Sequence, residues 1–130
     1  MAEHANAELF RRGYAAFGAG DLDTVRSLLA ADVVWHNTGN NHLAGDYTGV
    51  EATIGLFLKL FEESSGTFKL EVHDVLANDD HAVALVTVSA SRGDAGFTSR
   101  AAHVVHVRDG KLTESWFFGE DQAAGDAFWG

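Results

Sequence analysis

The stretch Tyr14 to Asn37, YAAFGAGDLDTVRSLLAADVVWHN, constrains the fold of this chain more than any other part. From Ala7 to Phe17 the positions Leu9, Phe10, Gly13, Tyr14 and Phe17 recur at helical spacing. Gly18 and Gly20 are stop signals, so a first helix ends near Ala19. Asp21 has the residue type of an N-cap, and Leu22, Val25, Leu28 and Leu29 line one stripe of a second helix running to about Ala30. Val33-Val34-Trp35 is β-rich and reads as a short strand. The Gly- and Asn-containing loop Asn37 to Tyr47 that follows is long enough to cover a pocket mouth. Gly49 to Glu63 then carries Val50, Ile54, Phe57, Leu58 and Phe61 at three-to-four spacing, a third helix.

Everything after Gly66 reads as antiparallel sheet, with strands near Thr67 to Ala77, Ala82 to Ser91, Phe97 to Val107 and Lys111 to Phe118. Asn78-Asp79-Asp80 and Asp109-Gly110 fall where hairpins should turn. Helices first and strands afterwards predict an α+β fold, three helices packed on one face of a curved, mainly antiparallel sheet. Such an arrangement makes a cone whose open end is a natural ligand site. The terminal Phe128-Trp129 is expected to close that cone or to join a dimer contact.

With 130 residues, no repeat and no Pro/Ser-rich linker, the chain reads as one domain with a single core. No apolar run approaches the ~20 residues of a membrane span, and no basic-then-apolar leader opens the chain, so it reads as soluble and cytoplasmic. The absence of Cys removes disulfides, thiol nucleophiles and zinc-cysteine sites. A formal charge of -10 and nine scattered Lys and Arg speak against nucleic acid. His103 and His106, three apart on a strand, face opposite ways and cannot share one metal ion. Neither a metal nor a cofactor is expected.

Four segments carry a resemblance to a known family: Tyr14 to Asn37, LAGDYTGVEAT (Leu43 to Thr53), HDVLANDDHAVALVTVSASR (His73 to Arg92) and HVVHVRDGKLTESWFF (His103 to Phe118). Together they resemble the SnoaL-like branch of the superfamily that also holds ketosteroid isomerases and nuclear transport factor 2. The resemblance spans nearly the whole chain and implies the cone-shaped fold and a homodimer. Apolar residues on both faces of the strand around Leu85 to Val88 agree with a covered sheet.

Period-2 alternation assigns faces. On Phe97 to Val107 the more apolar face holds Phe97, Ser99, Ala101, His103, Val105 and Val107, so His103 is expected inside the cone. It is either a hydrogen-bonded core histidine or a donor to a ligand oxygen. The resemblance favours the donor, because the steroid isomerases hold a protonated acid at this position; that enzyme is a standard example of such pKa tuning. On the last strand Leu112, Glu114, Trp116 and Phe118 share one face. If that face is inward, Glu114 is a partly desolvated acid or base; otherwise it pairs with a neighbour at the rim.

The resemblance places the isomerases' base at Asn37, whose amide takes up no proton, and their tyrosine at Gly13. That leaves Tyr14 one residue off, turned by about 100° around the helix. Asp121 falls where SnoaL-like cyclases hold an acid-base aspartate, or it simply opens a C-terminal helical turn. The Arg-Asp-Asp relay of the related epoxide hydrolases is not recognisable. The expected site is therefore His103, Asp121, Glu114 and Asn37, with Trp35, Trp116, Phe118, Phe17, Leu56 and Leu60 as the lining. It would hold a small apolar or aromatic molecule, a ketone for example. Two functions stay open: cofactor-independent proton transfer next to a carbonyl, or non-catalytic binding and dimerisation.

Overall fold

The computed structural model describes residues 3–130. Helices α1 (Ala5–Gly18) and α2 (Leu22–Leu28) lead into β1 (Leu29–Asn37), β2 (Gly45–Thr48) and helix α3 (Val50–Glu63). Strands β3 (Lys69–Ala77), β4 (His81–Arg92), β5 (Ala95–Arg108) and β6 (Lys111–Gly119) follow, and helix α4 (Gln122–Trp129) ends the chain. The six strands form one curved open sheet in the order β2-β1-β6-β5-β4-β3. All neighbours are antiparallel except β1 and β6, which run parallel. The α+β class and the long antiparallel region are those the sequence pattern predicts.

Local chemistry explains the punctuation. Asp21 caps α2, its carboxylate accepting from the Thr24 amide at 3.2 Å and from the Thr24 hydroxyl at 2.6 Å. Asp109 and Gly110, with φ of 52° and 74°, form the two-residue turn between β5 and β6. Both central residues at positive φ match the right-handed twist of the flanking strands, which is why Asp-Gly stands there. Asn78 makes the β3–β4 turn by accepting from the amides of Asp80 and His81 with its side chain.

Three details differ from the sequence reading. Strand β1 covers nine residues and begins at Leu29, because the backbone turns extended directly after Leu28, so α2 stops before Ala30. Part of the expected loop after it, Gly45–Thr48, is strand β2 on the edge of β1. A fourth helix, α4, adds to the three expected ones. It forms because Asp121 accepts from the Ala124 amide at 3.0 Å as an N-cap, while Phe128 and Trp129 bury themselves. Phe128 stacks on Phe97 and Trp129 packs against Phe68, so the terminal aromatics close over the sheet.

The core lies between the concave face of the sheet and the helices. Phe10 from α1, Val33 from β1, Leu56 from α3 and Val105 from β5 are almost fully buried in it. This placement leaves a cavity between α1, α3, the sheet and α4, and that cavity is the candidate site.

Candidate functional site

Alternation along β5 puts Ser99, Ala101, His103, Val105 and Val107 on the buried face, and β1 does the same for Val33 and Trp35. The cavity they help to form encloses about 150 Å³. A dry apolar cavity of roughly that size holds one benzene ring; a larger ligand would project through the mouth. Its wall is mostly apolar, with Phe17, Trp35, Leu56, Phe57 and Leu60 among the lining side chains.

His103 is 4% exposed and lies among four aromatic rings, those of Phe10, Tyr14, Trp35 and Phe117, with centroids 4.9 to 5.8 Å away. Burial in this cage disfavours the imidazolium and pushes its pKa down to about 3, so the ring is neutral at pH 7. Both nitrogens are engaged: Nδ1 lies 2.6 Å from the Tyr14 hydroxyl, and Nε2 lies 2.6 Å from the Ser115 hydroxyl. Burial also pushes the Tyr14 phenol well above its ordinary range, so it remains a neutral O–H.

Tyr14 and Ser115 are the two polar members of this group that sequence reasoning did not place here. Tyr14 stands four residues after Phe10 and three before Phe17 on the apolar stripe of α1, which was the available signal. Ser115 was hidden by a bulge. His106 of β5 pairs with Glu114 while the next residue, Val107, pairs with Leu112, so Thr113 is an extra residue in β6.

That extra residue corrects three of the expected site residues. Leu112 faces inward, but beyond Thr113 the parity reverses: Ser115 and Phe117 now face the cavity, while Glu114, Trp116 and Phe118 project from the opposite face. Glu114 accepts from His36 at 2.7 Å, and Asp46 takes the other nitrogen of that ring at 2.6 Å. Glu114 first and Asp46 second hold the His36 imidazolium above the usual histidine range. Trp116 stacks on His36, and Phe118 is 50% exposed. None of the three touches the cavity.

The remaining expected residues line it. Asn37 lies in the wall and donates from Nδ2 to the Leu43 carbonyl at 2.8 Å. Asp121 lies at the exposed mouth, where one carboxylate oxygen caps α4. The loop after β1 is tied to α4 across this mouth: Asp126 accepts from the Asn40 amide and from the Asn41 side chain, each at 2.8 Å, and Thr38 donates to the Phe117 carbonyl. Gly39 sits in this clasp at φ 124°, where a Cβ would lie 2.5 Å from the Asp126 carboxylate; only glycine fits. His36 and His106 lie on the outer face, apart from His103. No helix among the described residues is long and apolar enough to cross a membrane.

The chain is similar to known proteins in sequence and in fold. Residues 10–115 match the model of the SnoaL-like domain. An uncharacterised protein of Mycobacterium tuberculosis is 33% identical over 130 residues, covering 99% of both chains. Bal32a, from a soil-derived mobile gene cassette, is 34% identical, with 96% of each chain covered and a TM-score of 0.93. TerC, solved in co-crystals with polyporic acid, superposes with a TM-score of 0.83 over 95% of this chain and 96% of its own. At 22% identity that likeness is one of fold.

Proposed function

The chain belongs to the SnoaL-like family, and from that premise we propose that its cavity binds a small, mainly apolar ring ketone with the oxygen seated on the Tyr14 hydroxyl. The carrying observation is the Tyr14–His103–Ser115 chain of hydrogen bonds set into an apolar wall. A neutral phenol held by a neutral imidazole offers a carbonyl oxygen a fixed donor without burying a net charge. The room for about one ring sets the ligand size. TerC with polyporic acid is an instance of the same fold taking a small molecule.

A second reading is catalytic, and Asp121 favours it, because it lines the same cavity as Tyr14. The Asp121 carboxylate would remove a proton from the carbon next to the carbonyl. The electron pair would move to oxygen as an enolate bound by Tyr14, and the proton would return to carbon to close the cycle. Glu114 has no part in this, since it faces away. The test is deuterium exchange at the α-carbon of acetophenone in D2O. Catalysis predicts exchange above the buffer rate that falls about 10²-fold or more in Asp121→Asn; binding alone predicts the buffer rate in both proteins.

The homodimer is proposed for the outer face of the sheet. There Val83, Val104 and Trp116 stand in one row across β4, β5 and β6, and Leu85, Ala102 and Phe118 in the next. Leu85 and Phe118 are exposed and the other four half-buried, and contiguous solvent-facing apolar rows of this kind are covered by a partner in many soluble proteins. Sedimentation is expected to give twice the 13.9 kDa chain mass, and Leu85→Lys with Phe118→Asp to give the monomer. A monomeric wild type would remove the dimer and leave the cavity untouched.

A further inference from the structure

The Tyr14–His103–Ser115 chain has a direction, and it decides which ligands the cavity accepts. Ser115 is fully buried, and among the described residues its hydroxyl has no partner except His103 Nε2. His103, being neutral, carries one N–H and one lone pair. Two arrangements satisfy the distances. In the first, Tyr14 donates to Nδ1 and Nε2–H donates to Ser115, which leaves the Ser115 hydrogen buried without an acceptor. In the second, Ser115 donates to Nε2, Nδ1–H donates to the Tyr14 oxygen, and the Tyr14 hydrogen is left for the cavity. Each arrangement leaves one hydrogen without a protein acceptor: in the first it is that of Ser115, which is fully buried, and in the second that of Tyr14, which is half-buried and lines the cavity, where water or a ligand reaches it. A stranded hydrogen with no such access disfavours the first by a factor of about ten to a hundred.

We infer that His103 carries its proton on Nδ1, fixed by the Ser115 hydroxyl, and that the cavity therefore presents the Tyr14 O–H as a one-way donor selecting ligands that bring an acceptor oxygen to it. The inference rests on the reading of the cavity as a ligand pocket, but its core concerns the empty protein. Ser115 is in this view a positioning residue: it touches no ligand and acts through the imidazole. A ketone, aldehyde or ester carbonyl meets the requirement. A ligand that brings an N–H to this point meets another hydrogen, and a hydrocarbon leaves the phenol unpaired.

Two measurements test it. The first reads the tautomer directly from long-range 1H–15N correlations of His103 in 15N-histidine-labelled, ligand-free protein. The expected pattern is a protonated Nδ1 and a bare Nε2; a protonated Nε2 overturns the inference whether or not any ligand binds. The second compares acetophenone with α-methylstyrene, which has the same shape with CH2 in place of oxygen, in wild type and Tyr14→Phe. Acetophenone is expected to lose about tenfold in affinity in the variant and α-methylstyrene to lose nothing. Equal losses for both probes would mean that Tyr14 contributes shape rather than a hydrogen bond, and would overturn the selection for acceptors. If neither probe binds the wild type, the ketone reading of the pocket falls, while the tautomer result still decides the donor direction.

Discussion

Phe10→Ala is expected to destabilise the protein by about 3–5 kcal/mol, the range for removing a buried phenylalanine ring. Phe10 is among the most deeply buried large side chains, and its ring stands 5.1 Å from Tyr14 and 4.9 Å from His103. The loss has two parts: apolar area returned to water and a void that the sheet and α1 can only partly close. Urea unfolding measures it, as a lower midpoint with an unchanged slope. Leu58→Ala, on the exposed face of α3, is the control and should stay within about 0.5 kcal/mol. A Phe10 variant as stable as that control would mean that α1 is not packed on the sheet as described.

Acidification from pH 6.5 to 5 is expected to cost about 2 kcal/mol through His103 alone. In the unfolded chain this histidine takes up a proton near pH 6.5, whereas in the fold burial holds its pKa down to about 3. Between those values the unfolded state binds one proton more, so stability falls with falling pH by about 1.4 kcal/mol per unit. His36 works in the other sense, since its folded pKa is raised by Glu114 and Asp46. Its contribution is fully present below pH 6.5 and is lost as the pH rises through the folded value, so it does not mask the His103 slope in the acid window. Urea midpoints of wild type and of the double variant His103→Leu with Ser115→Ala separate the two. Replacing both hydrogen-bonding partners by apolar side chains avoids leaving the Ser115 hydroxyl orphaned. The wild type should lose stability over this window and the double variant should not; parallel curves would mean that His103 is hydrated in the fold.

Much of the architecture was legible because period and punctuation agreed. The stripe from Leu9 to Phe17, the cap at Asp21, the Asp109-Gly110 turn and the alternation of β5 each express a local rule, and the fold obeys all of them. The site was legible only where a strand kept its period. On β1 and β5 the alternation carried Trp35, Asn37 and His103 to the cavity wall. On β6 a single extra residue, Thr113, reversed the parity and exchanged Glu114, Trp116 and Phe118 for Ser115 and Phe117. Nothing in a period-2 pattern announces such a bulge, since it is set by pairing with β5 rather than by β6 itself. Tyr14 shares the apolar stripe of α1 with Phe10 and Phe17, so its inward face was legible, but its reach to His103 depends on where α1 lies over the sheet, which helical spacing does not give.

Strand β2 and helix α4 depend on tertiary partners in the same way. Four residues at Gly45–Thr48 become a strand because β1 offers an edge. The short α4 holds because its aromatics find Phe97 and Phe68, and because Asp126 gathers the loop amides. Of the two, only α4 and the loop tied to it stand at the cavity mouth, while β2 contributes no residue to the lining.

Whether the cavity takes a small ring ketone by its oxygen is decided by titration with acetophenone labelled with 13C at the carbonyl. Saturable binding with a downfield shift of the carbonyl carbon, the sign of a hydrogen bond to its oxygen, is the result predicted here. Binding without that shift, or no saturable binding by a folded protein, would contradict it.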